Sequence, residues 1–134
     1  MNLTLRIVSP EGLIFESEAA SVRVPGEGGF FGVLPRHAAL VALTESGVLV
    51  AKTSGGGTRE ILIHDGFAEV RKGILTVLTR SAEDPAAIDM ERAAKAAERA
   101  RERLRLQASD LDAARALAAL RRALLRERVA RRRV

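Results

Sequence analysis

The 134 residues include no cysteine, tryptophan or tyrosine, and the four phenylalanines are its only aromatic residues. Without cysteine there is no disulfide, no thiolate nucleophile and no cysteine-ligated zinc, an absence that fits a reducing compartment. With so few rings the interior has to be aliphatic. Base stacking on several exposed aromatics, the usual means of holding single-stranded nucleic acid, has too few residues to draw on. No uninterrupted apolar run approaches the roughly 20 residues of a membrane-spanning helix. The opening residues 1–12 have neither a basic leader nor an apolar stretch, so no signal peptide is expected.

What is present is unevenly distributed. Residues 1–84 hold eight basic and ten acidic side chains, a net −2, whereas residues 85–134 hold fourteen and seven, a net +7. Two parts with different roles are expected, with the boundary near Asp84-Pro85. In the first part Leu3, Leu5 and Ile7 alternate with Asn2, Thr4 and Arg6, the period of a half-buried strand. Strand-like runs follow at Leu13–Glu16, Ala20–Val24, Phe30–Leu34, Leu40–Thr44, Val48–Lys52, Glu60–His64, Phe67–Arg71 and Ile74–Thr79. Between them lie Pro10-Glu11-Gly12, the loop tip Ser54-Gly55-Gly56-Gly57 and Asp65-Gly66, a hairpin signal. The run Pro25-Gly26-Glu27-Gly28-Gly29 reads as too glycine-rich for regular structure. Eight or more short strands at this spacing predict an antiparallel sandwich or barrel.

From Pro85 the pattern turns helical. Asp84 suits an N-cap and Pro85 the first helical position. Up to Leu106 the chain is rich in Ala, Glu and Arg, all strong helix formers. Ala93, Ala97, Ala100 and Leu104 fall on one stripe, and Glu91 and Lys95 are spaced for an i,i+4 pair. Gln107-Ala108-Ser109-Asp110 reads as a break, with Ser109 or Asp110 capping a second helix striped by Leu111, Ala114, Leu117, Ala118, Leu125 and Val129. A short break between amphipathic helices predicts a two-helix hairpin. Alanine stripes allow close approach but bury little apolar area, so the hairpin is expected to open more readily than the aliphatic part.

Four stretches carry a family likeness. Val8-Ser9-Pro10-Glu11-Gly12-Leu13-Ile14-Phe15 resembles the V-x-P-x-G-x-x-F start of F-type ATP synthase epsilon subunits. Val24-Pro25-Gly26 through Gly32-Val33-Leu34-Pro35-Arg36-His37-Ala38 resembles their P-G-x-x-G-x-x-G-I-L-P-x-H-A segment. Gly66-Phe67-Ala68-Glu69-Val70 is similar to G-G-F-x-E-V, with Asp65 in place of the first glycine, and Ile88-Asp89-Met90-Glu91-Arg92-Ala93 matches I/L-D-x-x-R-A. Order and spacing agree over essentially the whole chain. The resemblance implies a mainly β head, a flattened antiparallel β-sandwich of about ten strands (residues 1–84). An antiparallel α-helical hairpin, mobile and regulatory, would follow as a tail (residues 85–134). It implies a non-catalytic rotor subunit of the central stalk, docked on the gamma subunit and the c-ring. Its C-terminal helices would reach the alpha/beta catalytic hexamer and restrain ATP hydrolysis. The place would be peripheral, on the cytoplasmic face of the bacterial plasma membrane, with no obligatory cofactor and with ATP as a regulatory ligand. Some relatives bind ATP through residues matched here by Glu83, Ile88, Asp89, Arg92, Ala93, Arg99, Arg122 and Arg126.

Each signal also has a plainer explanation. Gly26–Gly32 lacks the G-x-x-x-x-G-K-S/T of a phosphate loop and no helix follows it, so a docking loop beside Phe30-Phe31 is the better account. His37 and His64 stand in different segments without a nucleophile or a carboxylate at a catalytic spacing, so structural roles and no enzymatic activity are expected. Asp89 and Arg92 could be an ordinary i,i+3 helix pair. Arg121, Arg122, Arg126, Arg128, Arg131, Arg132 and Arg133 make a basic C-terminus. This could be a solvated face, a complement to the helix dipole, a nucleic-acid contact or a surface for an acidic protein. A free-standing nucleotide- or nucleic-acid-binding module with a basic helical tail is the rival reading.

Overall fold

A computed structural model describes residues 2–106 and 109–131. Gln107 and Ala108 of the expected break, and Arg132 and Arg133 of the basic C-terminus, lie outside the described residues. The chain divides into two compact units, Met1–Asp84 and Pro85–Val134.

The first unit is a ten-stranded β-structure: β1 (Leu3–Ser9), β2 (Gly12–Ala19), β3 (Ser21–Gly26), β4 (Gly29–Val33), β5 (Leu40–Thr44), β6 (Gly47–Lys52), β7 (Thr58–Ile63), β8 (Gly66–Arg71), β9 (Ile74–Thr79) and β10 (Ala82–Glu83). The ladder runs β10-β7-β6-β3-β5-β8-β9-β1-β2, with β4 paired to β3. Gly26↔Thr44 is the single described pair joining β3 to β5, so the path folds over there into two layers. Period-2 alternation buries Leu3, Leu5 and Ile7 from β1, Val22 and Val24 from β3, and Leu75 and Val77 from β9 in one cluster. Each such side chain contributes about 1.5–3 kcal/mol when fully buried. The core is therefore aliphatic, and Phe15 and Phe31 only pack against its margin.

Three details differ from the sequence expectation. The sandwich is not wholly antiparallel, since β1 pairs parallel with β9 from Thr4↔Ile74 to Val8↔Leu78. Strands so far apart in sequence share no tight turn, so no hairpin dictates their relative direction. The glycine-rich run is regular after all: β3 and β4 form a hairpin with Val24↔Phe31, Pro25↔Phe30 and Gly26↔Gly29. Gly28 (φ 85°) in its two-residue loop supplies the left-handed conformation that the turn needs. Finally, Asp65-Gly66 does not close a hairpin, because β7 and β8 are not ladder neighbours. It is a corner: the Asp65 carboxylate accepts the Ser46 backbone N–H and hydroxyl, each at 3.1 Å. Gly66 is obligatory there for space. A Cβ on it would lie 1.8 Å from the Leu78 carbonyl oxygen.

In the second unit Pro85–Ala87 forms a 3-10 turn, followed by α1 (Met90–Leu106) and α2 (Asp110–Arg131). Pro85 thus starts a helical turn, but not the α-helix. Asp89 caps α1 instead of Asp84: its Oδ1 accepts the Arg92 N–H at 3.1 Å, and its carbonyl accepts the Ala93 N–H at 3.0 Å. Ser109 caps α2 through the Asp112 N–H at 3.1 Å. The helices pack along small residues, Ala93, Ala97 and Ala100 on α1 and Ala116, Ala123 and Ala130 on α2. Of the expected α2 stripe Val129 is buried, whereas Leu111, Ala114, Leu117 and Ala118 are exposed. Apolar residues occur on every side of α2, so periodicity alone could not pick its inner face.

Replacing Gly66 by Ala forces a Cβ against backbone that cannot yield, and should cost about 3 kcal/mol or more of stability. Gly32→Ala, where a Cβ meets nothing within 4 Å, should stay within about 1 kcal/mol of wild type. Urea titration followed by circular dichroism of both variants checks the contrast.

Candidate binding surfaces

Two surfaces, one on each unit, stand out. Among the described residues no group of three or more His, Asp or Glu side chains is placed to hold a metal ion. His37 is tied up locally: its N–H donates to the Leu34 carbonyl at 3.0 Å and its Nδ1 lies 2.7 Å from the Ala38 carbonyl oxygen. His64 follows the end of β7 and is buried.

The first surface is the outer face of the layer β5-β8-β9-β1-β2. Register aligns Leu43 with Phe67, Phe67 with Leu78, Leu78 with Val8, and Val8 with Leu13. The result is a transverse apolar row across five strands, about 19 Å long at the usual strand spacing. Its members are solvent-facing: Leu43 and Phe67 are 50% exposed and Leu13 59%. The parallel row two residues along reads Val41, Glu69, Thr76, Arg6 and Glu16, which is largely polar and includes the Arg6–Glu16 ion pair at 3.1 Å. A narrow apolar strip bordered by charge is the form of a protein-docking surface. The sequence held these residues, but only the register puts them in line. The β3–β4 hairpin adds Phe30, 57% exposed, beneath the Arg23 guanidinium at 4.4 Å. It also forms one wall of a groove of about 450 Å³ lined by Arg23, Phe31, Leu34 and Lys52.

The second surface belongs to the helical unit. Arg92 directly precedes the seam residue Ala93, Arg99 precedes Ala100, Arg122 precedes Ala123, and Arg126 precedes half-buried Glu127. At about 100° per residue each arginine is turned to the same side of its own seam. In two right-handed helices packed antiparallel, those two sides lie on one face of the pair. The candidate cations are therefore brought to a common face. The same rule adds Arg103, before Leu104, and Arg115, before Ala116, which the sequence reading had not singled out. The signal was a position one residue ahead of the seam, which for Arg115 needed the seam of α2 to be known. Ion pairs within the helices join Lys95 with Glu91 at 3.2 Å, Arg101 with Glu98 at 3.3 Å, Arg105 with Glu102, and Arg131 with Glu127 at 3.6 Å. Arg101, Arg105 and Arg131 each follow a seam residue, which turns them to the opposite side. The face of Arg92, Arg99 and Arg122 is thus a concentration of positive charge suited to a polyanion.

The other candidates are less directly placed. Ala93 is buried in the seam, Ile88 is half-buried with its N–H 3.4 Å from the Pro85 carbonyl oxygen, and Asp89 is the α1 cap. Glu83 belongs to β10 of the first unit.

A family model described as the ATP synthase, Delta/Epsilon chain, beta-sandwich domain matches residues 2–85. An ATP synthase epsilon chain of Moorella thermoacetica is 40% identical over 129 residues, covering 96% of each chain. One from Nitratidesulfovibrio vulgaris (strain DP4) is 43% identical over 128 residues, covering 96% of this chain and 95% of its own. Among solved structures, a chain in the Euglena gracilis mitochondrial ATP synthase, OSCP/F1/c-ring in rotational state 1, superposes with a TM-score of 0.82 at 26% identity, over 95% of this chain and 80% of that one.

The capping role of Asp89 can be tested by itself. Asp89→Ala should cost the helical unit about 1 kcal/mol, and Asp89→Ser, another good cap, should recover most of it. Helical circular dichroism through a thermal melt is the measurement.

Proposed function

This chain belongs to the ATP synthase delta/epsilon family, and from that premise we propose that it is a non-enzymatic rotor subunit of the central stalk. The β-sandwich docks on the gamma subunit and on the c-ring. The helical unit regulates hydrolysis by the alpha/beta hexamer. The association is peripheral to the membrane; among the described residues no helix is long and apolar enough to cross one. The observation that carries the docking reading is the apolar row Leu43, Phe67, Leu78, Val8 and Leu13, whose exposure folding does not require. Placing Phe67→Asp at its centre should weaken binding to isolated gamma subunit by at least about tenfold, since one desolvated ring at an interface centre is worth roughly 2 kcal/mol or more. Unchanged binding would dismiss the row as the interface.

The regulatory reading rests on charge and on weak packing. A basic α2 is drawn to an acidic catalytic surface by an interaction that salt screens. Removing residues from Asp110 onward should leave assembly intact and raise ATP hydrolysis by the membrane-bound enzyme, more so at low salt than at high salt. The closed hairpin is also the form that gathers Arg92, Arg99, Arg122 and Arg126 on one face. Bringing like charges together opposes closure, and a polyphosphate lying across them removes the opposition. ATP therefore favours the closed hairpin by its differential affinity for it. Arg126→Ala should reduce ATP affinity about tenfold or more, the value of one charge-assisted contact. Calorimetric titration of the two proteins decides it; equal isotherms would reject a two-helix site.

A further inference from the structure

His64 is a buried imidazole that neither surface uses. It is 2% exposed and directly follows β7. Its Nε2 lies 3.5 Å from Glu83 Oε2, and its Nδ1 has no hydrogen-bond partner among the described residues. Glu83 is the last residue of β10, a strand that holds to the ladder through just two pairs, Ala82↔Ile63 and Glu83↔Leu62. Thr79 binds the same corner. Its Oγ1 accepts the His64 N–H at 2.9 Å, and its hydroxyl lies 2.8 Å from the His64 carbonyl oxygen and 2.9 Å from that of Ser81. Its one proton can serve either carbonyl. The Ser81 carbonyl thus faces the Thr79 hydroxyl that binds the His64 backbone, and the Glu83 carboxylate faces the imidazole itself. The next residues are Asp84 and Pro85, where the second unit starts.

A two-residue edge strand has little hydrogen bonding of its own to keep it in place. A side chain sealed in the sandwich can hold it, because its own position is fixed by packing. We propose that His64 is a positioning residue for Glu83, and that this imidazole clasps β10 and so sets the free length of the strap leading into the helical unit. With the clasp closed, the strap begins after Glu83. With it open, Ser81–Asp84 becomes free chain, about 13 Å long when extended. The clasp is a property of the first unit alone. Its consequence for the helical unit rests on the mobile-tail reading above.

Amide hydrogen exchange on the full chain tests the clasp. In His64→Leu the amides of Ala82 and Glu83 should exchange about tenfold faster, while those of β1, β8 and β9 keep wild-type rates. His64→Gln, whose amide nitrogen can reach the same carboxylate, should restore protection of β10. Glu83→Ala reads the contact from its more exposed partner, where folding is not at stake, and should likewise speed exchange at Ala82. Wild-type exchange of β10 in both His64→Leu and Glu83→Ala overturns the proposal. So does a uniform rise across the sandwich, or failure of His64→Gln to rescue, either of which marks His64 as a packing residue only.

The strap is read separately. The chain has no cysteine, so Arg71→Cys and Arg121→Cys give a clean pair of spin labels. The distance distribution between them should broaden toward longer values in His64→Leu and not in His64→Gln. Faster β10 exchange with an unaltered distribution overturns control of the strap while leaving the clasp. A narrow distribution in every variant, with and without ATP, counts against the mobile tail itself.

Discussion

The strict alternation of the β1, β8 and β9 side chains is the constraint on which the first unit depends. Leu3, Leu5, Ile7, Ala68, Val70, Leu75 and Val77 must point inward, because a one-residue slip of any strand would exchange its core for its surface. Register being fixed from inside, the outer face is fixed as a consequence. Phe67, Leu78 and Val8 come into line whether or not their alignment helps folding. They contribute little to stability where they stand, exposed to water, so the row is available for another purpose. A docking surface written onto the back of an obligatory core has a rigid backbone and needs no ordering on contact, which lowers the entropic cost of binding.

The helical unit follows the opposite rule. Its seam is made of alanine methyls, each worth about 0.8 kcal/mol of burial, where a leucine seam would give two to three times as much. The shallow seam does two things together. It makes opening of the hairpin inexpensive, and it brings the helix axes close enough for arginines one residue ahead of the seam to share a face. A leucine-packed hairpin would be firmer and would hold those cations farther apart.

Much of this was legible in the sequence. Alternation located most of the strands, the composition change at Asp84-Pro85 marked two parts, and the alanine spacing gave the inner stripe of α1. What was not legible depended on contacts between segments. The Asp65-Gly66 corner resembles a hairpin turn because both need glycine, and the distinction lies in the Leu78 carbonyl pressed against Gly66. The Pro25–Gly29 run reads as loop because glycine is a poor strand former, yet β5 supports it: the Glu27 N–H reaches the Leu43 carbonyl at 3.1 Å and the Glu45 N–H reaches that of Pro25 at 3.0 Å. The inner face of α2 was hidden because its apolar residues occur all round the helix. Arg115 was missed for the same reason, whereas Arg103, one residue ahead of Leu104 on the legible stripe of α1, was open to the sequence.

Asp89 shows why residue type and position can have two sufficient causes. A carboxylate at the N-terminus of α1 satisfies an orphan amide and complements the helix dipole. Those two effects alone would account for an acidic residue there in a protein that binds no nucleotide. The arginines admit no such account. Arg92 stands in the first turn of α1, where a cation is disfavoured by the same dipole that favours Asp89. Arg99 and Arg122 are mid-helix and gain nothing from either terminus. A helix needing only solubility could have spread its positive charge around both helices, as Lys95, Arg101 and Arg105 do with carboxylate partners one turn away. Concentrating it on the face that closure assembles costs repulsion in the closed hairpin, and a polyanion is the ligand class that turns this cost into binding energy. It is the placement of the arginines, more than the capping aspartate, that favours the proposal of a polyanionic ligand.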